Sequence, residues 1–161
     1  MNTRFRTGIG QSLRRFVSDD STKPCTVGGV IIEDMPGMQA DWDGDVVFEA
    51  IIQAIASVIG KKLFTPILTR LFEHNGITDS TMYLKEAVQA LEKQEITHIA
   101  ISIEGNQPTL ENEIDEIQRN IARILHLSPT QVGITCTSGD GLTDCGCGDG
   151  LHAIAILTTE E

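Results

Sequence analysis

The chain has 161 residues, 40% of them hydrophobic, and sets 12 basic side chains against 23 acidic ones for a formal net charge of −11. That balance argues against general nucleic-acid binding, and no apolar run approaches a membrane span, so one soluble domain over residues 1–161 with a sizeable core is expected. The start, Met1 to Arg15, carries Arg4, Arg6, Arg14 and Arg15 but no continuous apolar segment, which points to a cytoplasmic protein whose Cys25, Cys136, Cys145 and Cys147 are thiols.

Arg4 to Phe16, with its Gly8-x-Gly10 pair, suits an edge strand or an extended loop, and Ser18 to Pro24 reads as a polar loop. Cys25 to Glu33 is a β-branched run predicted as one strand, whose paired Gly28 and Gly29 admit close backbone approach. A turn at Asp34 to Gly37 then delivers the chain to Ala40-Asp41-Trp42-Asp43-Gly44-Asp45. Three carboxylates crowd this mouth of an amphipathic helix whose apolar positions are Val47, Ile51, Ala54, Ile55 and Val58. Asp43 or Asp45 is needed as a cap. Three acids exceed that need, because unpaired like charges repel, and the excess points to a cation, a hydroxyl-bearing ligand or a basic group as readily as to a solvated acidic turn.

Gly60-Lys61-Lys62 ends this helix, and Thr65 to His74 is predicted as a short second one. Asp79 or Ser80 caps a third, with Tyr83, Leu84, Ala87, Val88 and Leu91 facing inward. Thr97 to Ile103 alternates as a strand, and Glu111 to His126 carries an isoleucine stripe at Ile114, Ile117, Ile121 and Ile124. Two closing strands, Val132 to Thr137 and Leu151 to Leu157, flank a Gly-rich hairpin or loop. The second is apolar on both faces, as a covered central strand would be. His74 and His126 fall near helix C-termini, whereas His98 and His152 read as hydrogen-bonded packing residues. Cys145-Gly146-Cys147 fits a structural loop better than a soft-metal site, since zinc knuckles use wider spacing. The whole reads as α+β: a mixed four- to five-stranded sheet with helices on one face. Its other face, bearing Ala100, Ser102, Thr135 and Thr137, is left for solvent or a partner subunit.

The order and spacing of these motifs resemble the 2-C-methyl-D-erythritol 2,4-cyclodiphosphate synthase family of non-mevalonate isoprenoid biosynthesis. The likeness runs through Gly8-x-Gly10, Gly28-Gly29-Val30, Asp43-Gly44-Asp45-Val46, Thr78-Asp79-Ser80, Pro108 and Thr137-Ser138-Gly139-Asp140-Gly141-Leu142. It ends in Gly146-x-Gly148-Asp149-Gly150. The resemblance implies sheets packed around a threefold axis in a homotrimer, with sites between subunits. It also implies a lyase that closes a cyclic diphosphate and expels CMP, with zinc and a second divalent ion cancelling charge. By the same resemblance Asp43 and Asp45 are catalytic groups near the erythritol moiety. Thr137, Ser138 and Asp140 serve the cytidine nucleotide, and Asp140 serves the second metal.

Several positions depart from that pattern. The family's Asp-x-His pair and following His, its zinc ligands, fall on Ser12, Arg14 and Asp41. A guanidinium stays protonated and binds no metal, and a serine hydroxyl is a poor zinc ligand. Glu49 replaces a family histidine and Trp42 a small residue. Asp41 and Asp140 remain for a hard cation, magnesium or manganese. Arg14 and Asp41 could form an ion pair in the emptied site, where a fixed guanidinium could still hold phosphate; the sequence does not decide whether the two meet. The expectation is a divergent or catalytically degenerate family member, a pseudoenzyme that keeps a cytidine nucleotide or a phosphorylated small molecule. The alternatives are an active cyclase with altered metal ligation and a non-enzymatic trimeric scaffold.

Overall fold

Strand β1 (Phe5–Arg15) forms an edge of the main sheet in the computed structural model, which describes residues 2–107 and 109–161. Pro108 of the family pattern lies outside the described residues. Gly8, Gly10 and Ser12 point inward and are buried, while Ile9, Gln11 and Leu13 point out. The inward face rests on helix α1 (Val46–Ile59), whose apolar positions Val47, Ile51, Ala54, Ile55 and Val58 are all buried as their spacing predicts. The two glycines make this contact possible: a β-carbon on Gly8 would sit 2.1 Å from the Ala54 carbonyl oxygen, and one on Gly10 2.1 Å from that of Ala50.

Cys25 to Glu33 is not one strand. It folds as a hairpin of β2 (Cys25–Val27) and β3 (Val30–Ile32), because Gly28 and Gly29, at φ 58° and 76°, supply the two left-handed residues of a tight turn. The second helix is α2 (Phe64–Leu68), which widens into a π-helical turn over Thr69–Glu73. Helix α3 (Ser80–Gln89) follows its Asp79 cap. Strand β4 (Glu95–Glu104) leads through helix α4 (Ile114–Leu125) to β5 (Val132–Thr137) and β6 (Gly150–Glu160). Helix α4 starts three residues after Glu111, at Ile114, the first isoleucine of the stripe, and its Glu113 cap position makes no side-chain capping bond. His126, at φ 56°, ends it in the left-handed conformation.

The main sheet has the order β1-β6-β4-β5. Strand β6 is indeed central, antiparallel to β1 and β4, but it does not pair with β5: β4 lies between them and runs parallel to β5, with α4 as the crossover. The helices cover one sheet face. On the other, Ala100, Ser102, Thr135 and Thr137 are exposed as expected, and they are joined by apolar groups not anticipated there. Ile9 and Ile156 are cross-strand partners, 60% and 42% exposed, and Leu13 is 62% exposed. His98 is exposed rather than packed, and His152 bonds Gln11 Oε1 at 3.0 Å. Among the described residues no helix is long and apolar enough to cross a membrane.

Candidate functional site

Where β1 crosses the first turns of α1, two inward side chains of the strand meet one acid of the helix. Ser12 Oγ donates to Glu49 Oε2 at 2.5 Å, and Arg14 Nη2 donates to the same oxygen at 3.2 Å. The Arg14 guanidinium carbon also lies 4.9 Å from the centroid of the Trp42 ring, a cation–π arrangement. Trp42, only 4% exposed, packs in turn on Phe64 and Tyr83 with ring centroids 5.4 and 5.6 Å away.

The pairing of Arg14 with Asp41, left open by the sequence, does not form: Arg14 pairs with Glu49 instead. Residues 12 and 14 share the strand face that the glycines press onto α1, so the acid within reach is the helix's Glu49, whereas Asp41 sits exposed on the preceding loop. A short hydroxyl bond and a charge-assisted guanidinium bond now occupy one carboxylate oxygen. A metal does not fit there. The positions offer a hydroxyl already donating, a cation, and a carboxylate that both engage. Among the described residues no group of three or more His, Cys, Asp or Glu side chains is placed to hold a metal ion.

The mouth carboxylates are held by backbone. Asp45, wholly buried, caps α1 through Oδ1 to the Val47 and Phe48 N–H groups at 3.1 Å each, and also takes the Gly28 N–H on Oδ1 at 2.9 Å and the Gly29 N–H on Oδ2 at 2.7 Å. It therefore locks the β2–β3 turn to the helix. Burial, together with the nearby charge of Asp43, pushes its carboxyl up to about 7 against the pull of those N–H groups. Asp43 accepts from Asp45 N at 3.0 Å and from both the N–H and the hydroxyl of Ser80 at 2.8 Å, tying the same mouth to the start of α3. Its carboxyl too is raised by burial. The buried Cys25 thiol is pushed up to about 12 by burial and Asp45, and so stays protonated.

A second constellation forms where β4 and β5 end. A cavity of about 130 Å³ is lined by Ile103, Gly105, Asn106, Thr109, Leu110, Thr137 and Ser138, among others. Thr137 and Ser138 are exposed at its rim. Ser138 Oγ donates to Asp140 Oδ1 at 2.8 Å, and Asp140 takes a left-handed φ of 48°. The loop beyond is pinned by Thr143 Oγ1, which donates to Glu104 Oε2 at 2.7 Å. Within that loop Cys145 is buried and Cys147 exposed, its Sγ facing the Gly141 carbonyl at 3.4 Å. The two thiols do not share one side.

The roles of two groups escaped the sequence reading. Glu49 was visible as a lone charge inside Val46-Val47-Phe48-Glu49-Ala50-Ile51-Ile52, and a charge so placed needs a partner. Lys23 gave no signal at all. Its ammonium bonds three backbone carbonyls of the loop before α1, at 2.6 to 2.8 Å.

Known proteins share both the sequence and the fold. The chain matches the YgbB family over residues 5–160. It is 48% identical over 158 residues to the 2-C-methyl-D-erythritol 2,4-cyclodiphosphate synthase of Chlamydia felis, and 47% identical to that of Chlamydia caviae, covering 98% of this chain and 90% of each relative. Among solved structures, IspF of Plasmodium falciparum in complex with CDP superposes with a TM-score of 0.80 at 22% identity, covering 96% of this chain and 95% of that one. The bifunctional IspDF of Campylobacter jejuni does so with a TM-score of 0.88 at 23% identity, over 99% of this chain and 43% of that one. The chain belongs to the YgbB family, that of the 2-C-methyl-D-erythritol 2,4-cyclodiphosphate synthases.

Proposed function

We propose that this protein is a divergent member of its family that binds a cytidine nucleotide and has lost metal-assisted ring closure. The observation that carries this reading is the convergence of Ser12 and Arg14 on one oxygen of Glu49. Cyclisation requires an anionic phosphate to approach an anionic diphosphate, so positive charge must be free to cancel theirs. Arg14's charge is matched by Glu49, and the nearby Lys23 ammonium is spent on the carbonyls of Met38, Ala40 and Trp42. The mouth thus offers no free positive charge to the approach it would have to catalyse.

The nucleotide side is better furnished. The cavity at the ends of β4 and β5 is lined by apolar Ile103 and Leu110 and by the hydroxyl-bearing Thr137 and Ser138, while the Gly105 and Asn106 N–H groups beside it are spent on the Thr137 and Cys145 carbonyls. Asp140 stands beside it, a carboxylate suited to magnesium or manganese brought in with a phosphate. The P. falciparum relative's complex with CDP supports the same ligand class. The protein is a cytoplasmic single-domain chain over residues 1–161 that assembles as a homotrimer through the open sheet face, where Ile9, Leu13 and Ile156 would otherwise stay wet.

Two measurements test this. Calorimetry with CDP is expected to show binding, and incubation with 4-diphosphocytidyl-methylerythritol 2-phosphate is expected to release no CMP. Release of CMP would establish the second reading, a working cyclase, favoured by the 48% identity to a named synthase, in which Asp41, Asp140 and other groups would have to bind metal differently. Silence toward CDP would leave a trimeric scaffold.

A further inference from the structure

The loop leading into α1 is held from two sides through its own carbonyl oxygens. On the β1 side, Gly37 O accepts from the Val17 N–H at 2.8 Å and Gln39 O from Arg14 Nη1 at 3.4 Å. On the other side, Met38 O, Ala40 O and Trp42 O all accept from Lys23 Nζ, at 2.8, 2.6 and 2.6 Å. An ammonium has three protons to give, and all three are taken by neutral oxygens. Among the described residues no carboxylate pairs directly with Lys23. Asp43 and Asp41 act on it only at longer range, opposing the burial that lowers its pKa.

Convergent neutral carbonyls around one positive charge are the chemistry by which proteins hold potassium, and ammonium is of similar size and charge. We propose that Met38 O, Ala40 O and Trp42 O form a monovalent-cation site whose resident is the tethered Lys23 ammonium, and that this charge holds Trp42 against Arg14. The link is short. Lys23 bonds the carbonyl of the very residue whose ring stacks on the guanidinium, and the Lys23 carbonyl itself accepts from Gly37 N at 3.0 Å, closing the loop at its other end. Lys23 is thus a positioning residue for the Ser12–Arg14–Glu49 cluster, whether or not that cluster turns anything over.

Trp42 is the chain's single tryptophan, so its fluorescence reports this loop directly. Lys23→Met keeps the aliphatic stem and removes the charge. In choline chloride the variant is expected to melt about 5 °C below the parent, with red-shifted Trp42 emission. Potassium or ammonium chloride at equal ionic strength is expected to restore at least half of both changes. The parent should be indifferent to the choice of salt. Lys23→Arg, whose planar fork cannot converge on three oxygens as an ammonium does, should not restore the parent spectrum. In the unmodified protein, Lys23 should acetylate at least tenfold more slowly than the exposed Lys61 and Lys62. A variant whose melting and emission are the same in choline, potassium and ammonium would overturn the proposal, as would Lys23 acetylating as fast as Lys61.

Discussion

Arg14 and Glu49 face each other at 3.2 Å across the seam between β1 and α1, with side chains 25% and 11% exposed. A pair so far withdrawn from water costs desolvation to form, and removing one partner strands the other. Arg14→Met and Glu49→Gln are each expected to destabilise by about 1–3 kcal/mol, less than a fully buried pair because Arg14 keeps some contact with solvent. The double variant should cost less than the sum, leaving a coupling of about 1 kcal/mol or more in a urea-unfolding cycle. Strict additivity would show that the two charges do not sense each other.

Zinc should add nothing to the parent. Melting temperatures with zinc, manganese or magnesium, each against a chelator control, are expected to coincide, because the positions facing the site are a donating hydroxyl, a guanidinium and an engaged carboxylate. Ser12→Asp, Arg14→His and Asp41→His combined supply donors that zinc accepts, and this variant should retain the ion through dialysis. One zinc per chain in the dialysed parent would remove the main support for a degenerate centre.

How much of this was legible beforehand depends on the range of the interaction. Helix α1 and its Asp45 cap are local, written in the spacing of Val47, Ile51, Ala54, Ile55 and Val58, and they fold as read. The strand order is not local. Alternation in Val132 to Thr137 says which residues face the core but not which strand lies alongside, so of the hairpin and the loop left open between β5 and β6 the structure has the loop, while β6's central position held. Gly28-Gly29 is compatible with close approach inside a strand or with a turn, and only the register of β2 on β3 decides. Arg14 had two acids to choose from, Asp41 and Glu49, and the choice was made by β1 lying on α1. Lys23 left no trace because its partners are carbonyls, which every residue carries.

Asp45 makes stability depend on pH in an unusual direction. Its carboxyl is raised from 3.8 to about 7 by burial and by Asp43, so the folded state holds this proton more tightly than the unfolded chain does. Stability from this group is therefore fully present below pH 3.8 and declines as pH rises through the window from 3.8 to about 7. Asp43, raised by the same cause, adds to the trend. Asp45→Asn should flatten that dependence. Its amide oxygen can still accept from Gly28, Val47 and Phe48, but its NH₂ would face the Gly29 N–H, at a cost of about 1–2 kcal/mol near pH 5. Asp45→Ala, which leaves all four N–H groups without an acceptor, should cost about 3 kcal/mol or more. Melting curves of the parent and both variants from pH 4 to 8 decide; a parent curve that rises across this range would contradict the assignment.

Gly10 carries the contact on which the whole Ser12–Arg14–Glu49 geometry rests. A β-carbon there would lie 2.1 Å from the Ala50 carbonyl oxygen and 2.4 Å from the Ala54 nitrogen, both backbone atoms that no rotamer change can move. Gly10→Ala must therefore lift β1 off α1, at an expected cost of at least about 3 kcal/mol. Lifting the strand also draws Ser12 and Arg14 away from Glu49, since all three meet across the same seam. The variant should then show two linked changes: a lower unfolding midpoint, and altered emission from Trp42 as its cation–π neighbour departs. Gly60→Ala is the control. Unlike Gly10 it sits at positive φ, 69°, and nothing lies within 4 Å of its added methyl, so it should lose only the backbone cost of about 1 kcal/mol and leave Trp42 emission unchanged. A loss at Gly10→Ala no larger than that at Gly60→Ala, with Trp42 emission unchanged, would mean that the approach of strand to helix does not require glycine at position 10.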